Sequence, residues 1–471
     1  MNQKISARAR RAFALVALFV CSFATAAERP NLVLFIADDL SWHDVGAYGN
    51  QDVRTPNVDQ LAREGMIFRR AFAASPTCAP SRSALFTGTY PMRNGAHANH
   101  SVVSSSLRTW PEYLQALGYR TVIAGKTHFG PRERFPFEYL PNSNINPPGK
   151  PEVLNTDLGT PAIEALLKSH DRKQPLALVV AAHSPHVYWP EINGYTPANL
   201  TLKPYMLDTP ETRAALARYY TDVTQMDREV GIVRAALARY GYAKNTLFMF
   251  TSDQGAQFPS AKWSLYDAGM HVPLIAVWPG RTPRSVSNDA IVSLVDVLPT
   301  MIEAGSGEAP GDIDGRSFAA VLEGRATQHL EAAFAAHTGD GEMNRAPSRA
   351  IRTARFKYIA NLRPDLRYGT HISEGNGKDG RDYWNSWVKL AESDPAAARM
   401  IRRYREKPAD ELYDLASDPF ELVNLANDPA YARTLVELRG RLNAWREQQG
   451  ERLDSAPMPE DAQHGKLLYR E

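Results

Sequence analysis

Five short apolar runs punctuate the chain: Leu32–Ala37, Arg120–Ala124, Leu176–Ala182, Thr246–Thr251 and Pro273–Trp278. Runs this short and this continuous read as strands of a parallel sheet covered on both faces. Between them, apolar residues recur at helical spacing. Val58–Glu64 is one such segment, Trp110–Leu117 before Gly118 a second, and Thr160–Lys168 a third. The longest runs from Glu211 to Tyr240 and stops at Gly241. Strands alternating with helices predict an α/β fold: a large, mostly parallel or mixed sheet sandwiched by helices.

After residue 325 the texture changes. Ala350–Leu362 and Asp410–Leu415 read as antiparallel strands, and Pro429–Gln448 as a closing amphipathic helix. This predicts a smaller C-terminal α+β subdomain. The stretches 131–158 and 363–386 are rich in Pro, Gly, Asn and Asp, and read as long loops that shape a cleft. The expected division is therefore 28–325 for the larger domain and 326–471 for a subdomain completing the cleft, preceded by a separate leader.

That leader is residues 1–27. Lys4, Arg8, Arg10 and Arg11 precede an apolar run from Ala12 to Phe23, and Ala24-Thr25-Ala26-Ala27 follow. This is the order of a cleaved export signal, and its apolar core is short for a membrane span. The expectation is a periplasmic or secreted protein without membrane insertion after cleavage. The chain has 54 basic and 52 acidic residues; without the four basic residues of the leader the net charge is about −2. Such a balance argues against a nucleic-acid or membrane binder and leaves positive potential to a local cleft.

Cysteine usage narrows the chemistry. Cys21 lies in the leader, so Cys78 stands alone in the mature chain, with no partner for a disulfide. It opens Cys78-Ala79-Pro80-Ser81-Arg82, just before an apparent helix N-terminus, where amides and Arg82 favour an anion.

Open α/β sheets bind ligands beyond the carboxyl ends of their strands. Here those ends carry Asp38-Asp39, Gly125-Lys126-Thr127-His128, His183-Ser184-Pro185-His186 and Ser252-Asp253-Gln254. Asp38, Asp39, Asp253 and Gln254 are hard oxygen donors suited to Ca²⁺ or Mg²⁺. Lys126, His128, His183 and Lys262 are the cationic or proton-carrying candidates. His97, His100, His271, His329, His337 and His371 are read as structural.

These residues together resemble the type I sulfatases of the alkaline phosphatase superfamily. Cys78-Ala79-Pro80-Ser81-Arg82 with Thr87-Gly88 is similar to their C-x-P-S-R…T-G signature. Gly125-Lys126-Thr127-His128-Phe129-Gly130 resembles their G-K-x-H-x-G element, and Glu411-Leu412-Tyr413-Asp414-Leu415 their C-terminal signature. The stretch Ser252–Tyr266 looks like the heparan N-sulfatase (sulfamidase) branch, whose bacterial relatives include polysaccharide sulfatases. Two departures stand out. Gln254 occupies a place where Asn or His is usual, and the spacing from Asp253 to Lys262 is short, with Lys262 where the sulfamidase branch carries Arg.

The resemblance implies that a maturation enzyme converts Cys78 to formylglycine, whose hydrate attacks sulfur and then expels sulfate. It implies that Asp38, Asp39, Asp253, Gln254 and the modified residue 78 hold Ca²⁺, with Mg²⁺ as the alternative. Arg82 would hold the hydrate, and Lys126 and Lys262 would bind sulfate. His128 would serve as base and His183 as leaving-group acid. The implied substrate is a sulfated saccharide, as an O-sulfate ester or as N-sulfoglucosamine. His186, Arg402, Arg403 and Trp384 are candidate substrate contacts; Arg405, Tyr383 and Trp387 lie beside them. Two alternatives stay open: a phosphonate or phosphate ester hydrolase of the same superfamily, and an inactive Ca²⁺-dependent binder of sulfated glycans.

Overall fold

The computed structural model describes residues 29–141, 158–375 and 380–462. The leader at 1–27, and the parts of the two expected loops at 142–157 and 376–379, lie outside the described residues. Among the described residues no helix is long and apolar enough to cross a membrane.

Eight strands form the larger sheet: β1 Asn31–Ala37, β2 Met66–Phe72, β3 Arg120–Gly125, β4 Glu138–Tyr139, β5 Leu176–Ala181, β6 Thr246–Ser252, β7 His271–Val277 and β8 Val286–Ser293. Their order is β4-β3-β5-β1-β6-β7-β2-β8. β1 is central, parallel to β5 on one side and β6 on the other. Its residues alternate between two cores: Val33, Phe35 and Ala37 face one, Leu32, Leu34 and Ile36 the other. β5 divides the same way. This two-sided burial is why both strands read as unbroken apolar runs.

The helix Pro210–Arg239 covers the first core with Leu216, Tyr219, Tyr220, Val223, Met226 and Val230. Thr209 caps it by accepting from the Thr212 amide, and Pro210 starts it, where a missing N–H costs nothing. The helix Cys78–Thr87 covers the opposite face, with Leu85 and Phe86 in the second core.

The smaller sheet, β9 Ala332–His337, β10 Ser348–Thr353, β11 Phe356–Asn361 and β12 Asp410–Asp414, has the order β12-β11-β10-β9 and is antiparallel throughout. The helix Ala432–Gln448 packs Leu438, Leu442 and Trp445 against Ile351, Tyr358 and Leu412. Ala84 of the Cys78 helix joins that same cluster, so the smaller sheet is seated directly behind the cysteine-bearing helix.

Three expectations need correction. The run Pro273–Trp278 forms a strand, β7, but it runs antiparallel to both neighbours, β6 and β2. The sequence pattern also missed β2, where Arg69 and Arg70 interrupt the apolar residues, and β8, whose first half is solvent-facing. Finally, the expected loop 363–386 holds a short helix, His371–Glu374, and the start of a longer one, Arg381–Ala391.

Candidate active site

Parallel registry brings four strand ends to one edge. Ile36 pairs with Ala181, Ala37 with Ser252, and Gly125 with Ala181. The next residues along each strand therefore meet. Two glycines make the turns fit. At Gly125 (φ +86°) a Cβ would fall 2.0 Å from the Ala181 carbonyl oxygen, and at Gly255 a Cβ would fall 1.8 Å from the Ala268 oxygen.

Cys78 is the first residue of its helix, after the N-cap Thr77, rather than just before it. Its thiol is 1% exposed. Gln254 Nε2 donates to Cys78 Sγ at 3.0 Å and Lys126 Nζ at 3.5 Å, while Asp38 Oδ1 lies 3.8 Å away. Burial pushes the thiol up to about 12, despite the pull of Lys126 and Lys262. An ordinary thiolate nucleophile is thus disfavoured here.

Three carboxylates and three cations surround the sulfur. Lys126 Nζ donates to Asp38 Oδ2, and Lys262 Nζ donates to Asp39 Oδ2 at 2.7 Å. Arg82 Nε donates to Asp253 Oδ2 at 2.7 Å and its Nη1 to the Lys126 carbonyl at 3.0 Å. All six side chains are essentially sealed from solvent. Burial opposes ionisation of Asp38, yet Lys126, His186, Arg82 and Lys262 hold it well below the ordinary carboxylate range. Asp253 goes the other way: burial, reinforced by Asp38 and Asp39 and resisted by Arg82, pushes it up to about 6.

The donor set fits a hard divalent cation. Gln254 Oε1 is buried with no hydrogen-bond partner among the described residues, while the Nε2 of the same amide reaches Asp39 Oδ1. An orphaned carbonyl oxygen beside three carboxylates is a ligand shell in search of positive charge. Asp38, Asp39, Cys78 and His186 also converge closely enough to share one ion. His186, expected as a substrate contact, thereby joins the acidic cluster, with Nε2 3.7 Å from Asp39 Oδ2.

Two further histidines border the cluster. His183 follows β5, and burial pulls it down to about 3. Its neighbour Ser184 accepts from the Asp38 amide at 3.2 Å, which ties the two strand ends together. His128 is held well below its usual value by burial, then by His100, Lys126 and Arg82. Its Nε2 lies 3.0 Å from His100 Nδ1.

The remaining candidates separate from the site. Trp384 is 1% exposed, packed on Tyr404 with ring centroids 4.6 Å apart and capped by Arg405, so it offers no face for a sugar to stack on. Arg403 turns inward over the Tyr266 ring and onto the Glu421 carbonyl, and Arg402 faces solvent. Sequence reasoning also passed over a group at the site's rim. His100, His371, Trp263 and Asn99 converge on Asp340. No local pattern marks Asp340, and its partners lie far away in sequence.

The chain is similar to known proteins over most of its length. The family description "Sulfatase" matches residues 30–307, and "N-sulphoglucosamine sulphohydrolase, C-terminal" matches residues 260–366. An ulvan-active sulfatase of Formosa agariphila is 31% identical over 431 residues, covering 90% of this chain and 81% of that protein. Human N-sulphoglucosamine sulphohydrolase is 30% identical over 460 residues, covering 88% and 89%. Among solved structures, one in complex with its substrate D-glucosamine-2-N,6-O-disulfate aligns with TM-score 0.67 at 20% identity, covering 90% and 98%. A phosphonate monoester hydrolase of Agrobacterium radiobacter aligns with TM-score 0.67 at 20% identity, covering 89% and 96%. At that identity the structural matches speak to fold alone. The match along the larger sheet and the alignments over nine-tenths of the sequence carry the assignment: this chain belongs to the sulfatase family.

Proposed function

We propose that this sulfatase removes sulfate from a sulfated saccharide, using a modified Cys78 and a bound Ca²⁺. One observation carries the reading. Cys78 sits at a helix start within reach of Lys126 and Gln254, inside a sealed set of three carboxylates and three cations. The named activities of the relatives, on ulvan and on N-sulphoglucosamine, support a saccharide substrate.

Oxidation of Cys78 to formylglycine by a maturation enzyme would supply a hydrated aldehyde, a nucleophile able to release sulfate without a second attack by water. Asp38, Asp39, Asp253 and Gln254, with the modified residue 78, would hold Ca²⁺, which at that place polarises sulfate oxygens. The protein's own side chains do the rest. The three cations balance the three carboxylates, so any added cation leaves surplus positive charge to attract an anionic group. Lys126 and Lys262 hold sulfate oxygens, and Arg82 fixes the residue 78 side chain from the Asp253 side. His183, neutral where burial alone acts on it, gives a proton to the leaving oxygen or nitrogen once the negative charge of bound sulfate raises its proton affinity. His128 takes a proton at Nδ1, which is buried with no hydrogen-bond partner among the described residues.

The same reading takes residues 1–27 as an export signal to the periplasm or exterior, 28–325 as the catalytic domain and 326–471 as the subdomain that completes the cleft. Mass spectrometry of the Cys78 peptide from active enzyme tests the first step; finding only unmodified cysteine would overturn it. Turnover of an aryl sulfate well above its matched aryl phosphonate is expected, and the reverse preference would favour the phosphonate alternative. A screen of sulfated mono- and disaccharides, N-sulfoglucosamine among them, then names the sugar.

A further inference from the structure

His128 makes its one side-chain hydrogen bond among the described residues to another histidine. His128 Nε2 and His100 Nδ1 are 3.0 Å apart, with ring centroids separated by 4.9 Å. The other nitrogen of His100, Nε2, lies 3.5 Å from Asp340 Oδ1 and 3.2 Å from Asn99 Nδ2. Asp340 is itself clamped. Trp263 Nε1 donates to its Oδ2 at 2.8 Å, Asn99 Nδ2 at 2.9 Å, and His371 Nε2 lies 3.4 Å away. His371 in turn stacks on Trp263, with centroids 5.3 Å apart. The array runs inward from solvent: the His100 side chain is 45% exposed and His128 only 4%.

We propose that His100 and Asp340 are positioning residues for His128. Asp340 orients the His100 ring, and His100 Nδ1 fixes both the rotation and the proton placement of the His128 imidazole. The inference rests on the reading of His128 as a proton acceptor in the sulfatase reaction.

Three observations favour this over a simple loop tie. Asn99 N already donates to the Gly339 carbonyl at 2.9 Å, so the two loops are joined through backbone alone. Both histidines of the pair have left-handed backbone, φ +64° at His100 and φ +52° at His128. Non-glycine residues adopt that region seldom, and the surrounding structure must hold them there. Finally, His128 Nδ1 has no partner among the described residues, so the bond at Nε2 is the tether that keeps the ring from turning end over end. A base that turns in this way presents carbon where nitrogen is needed.

The test compares wild type with His100→Ala, His100→Asn and Asp340→Asn, all expressed with the maturation system. Each is measured for kcat and KM on one sulfated substrate, and for histidine side-chain ¹⁵N spectra, with His128 assigned by its loss in His128→Asn. Wild type is expected to show a single hydrogen-bonded tautomer for His128. His100→Ala should lose that signature and about 10- to 100-fold in kcat, with KM within about twofold, since general-base catalysis is worth more than that in full. His100→Asn keeps a polar group near the place of Nδ1 and should recover part of both; Asp340→Asn should fall between. The proposal is overturned if His100→Ala and Asp340→Asn keep wild-type kcat. It is also overturned if kcat falls while the His128 spectrum stays unchanged. Wild type that turns over no sulfated substrate would defeat the sulfatase reading instead, and the spectra would still decide whether His100 and Asp340 hold His128.

Discussion

Arg82 Nε and Asp253 Oδ2 face each other at 2.7 Å with both side chains sealed from solvent. No water can replace either partner. Arg82→Ala therefore strands a buried carboxylate, and the expected loss of stability is about 3–5 kcal/mol. Arg82→Lys should lose less, because it restores the charge but not the second bond to the Lys126 carbonyl. Urea unfolding of the three proteins checks the order. An alanine variant as stable as wild type would mean that Asp253 is neutral in the native protein.

Cation binding should register in stability as well as in rate. Chelation is expected to lower the melting temperature, and Ca²⁺ at 100 times its Kd should restore about 2.7 kcal/mol. Gln254→Ala removes the orphaned carbonyl oxygen and should raise the Ca²⁺ concentration needed. Calorimetric titration of chelated protein gives the affinity directly. Chelated protein with an unchanged melt and no heat on adding Ca²⁺ would end the idea.

Mild acid should destabilise the fold through buried histidines outside the cluster. Burial is the main cause at His97, His271 and His337, which fall from 6.5 to about 4, 3 and 4 respectively. Between those values the unfolded chain binds protons that the native protein refuses. The stabilisation is present above pH 6.5 and is lost as pH falls toward 4, at up to about 1.4 kcal/mol per pH unit for each group. Above about pH 6 this loss is offset by Glu421 and Asp253, whose raised values make the native protein bind protons that the unfolded chain does not, so the decline in denaturation midpoint should emerge below about pH 6. His271→Phe should flatten part of that slope, since the ring stacks on Trp42 at 4.5 Å without needing charge. A His271→Phe protein with the same slope as wild type below about pH 6 would contradict the assignment.

The two sheets meet over a buried ion cluster. Lys357 Nζ of β11 contacts Asp267 Oδ1 and lies 2.9 Å from Glu421 Oε1, with no exposure of its own. Lys357→Met leaves two carboxylates facing each other and should cost about 3–5 kcal/mol. Pairing it with Glu421→Gln should recover part of the loss, because burial already pushes Glu421 up to about 7. Thermal melts of the single and double variants decide. Strictly additive losses would show that the groups do not interact.

Much of the site was legible in the sequence because strands β1, β3, β5 and β6 end abruptly. Each apolar run stops at a polar cluster, and parallel registry then does the gathering. What was not legible has physical causes. An apolar run reads the same in either direction, so the reversal of β7 leaves no trace. An aromatic residue beside a glycine-rich stretch looks alike whether it lines a cleft or fills a core, and Trp384 fills a core. The link from Asn99 to Asp340 spans 241 positions, beyond any local pattern.

If Cys78 is oxidised by a separate enzyme, as proposed, its depth would set an order of events in the life of the protein. At 1% exposure, beneath Gln254 and Lys126 and at the foot of a helix with every residue buried, its sulfur is out of reach of another macromolecule. The proposed maturation enzyme would then have to meet the chain before the sheet closes. Molecules that fold first would be intact, soluble to the eye of a purification, and permanently idle. The specific activity of a preparation would then measure a race between folding and modification as much as it measures the catalyst.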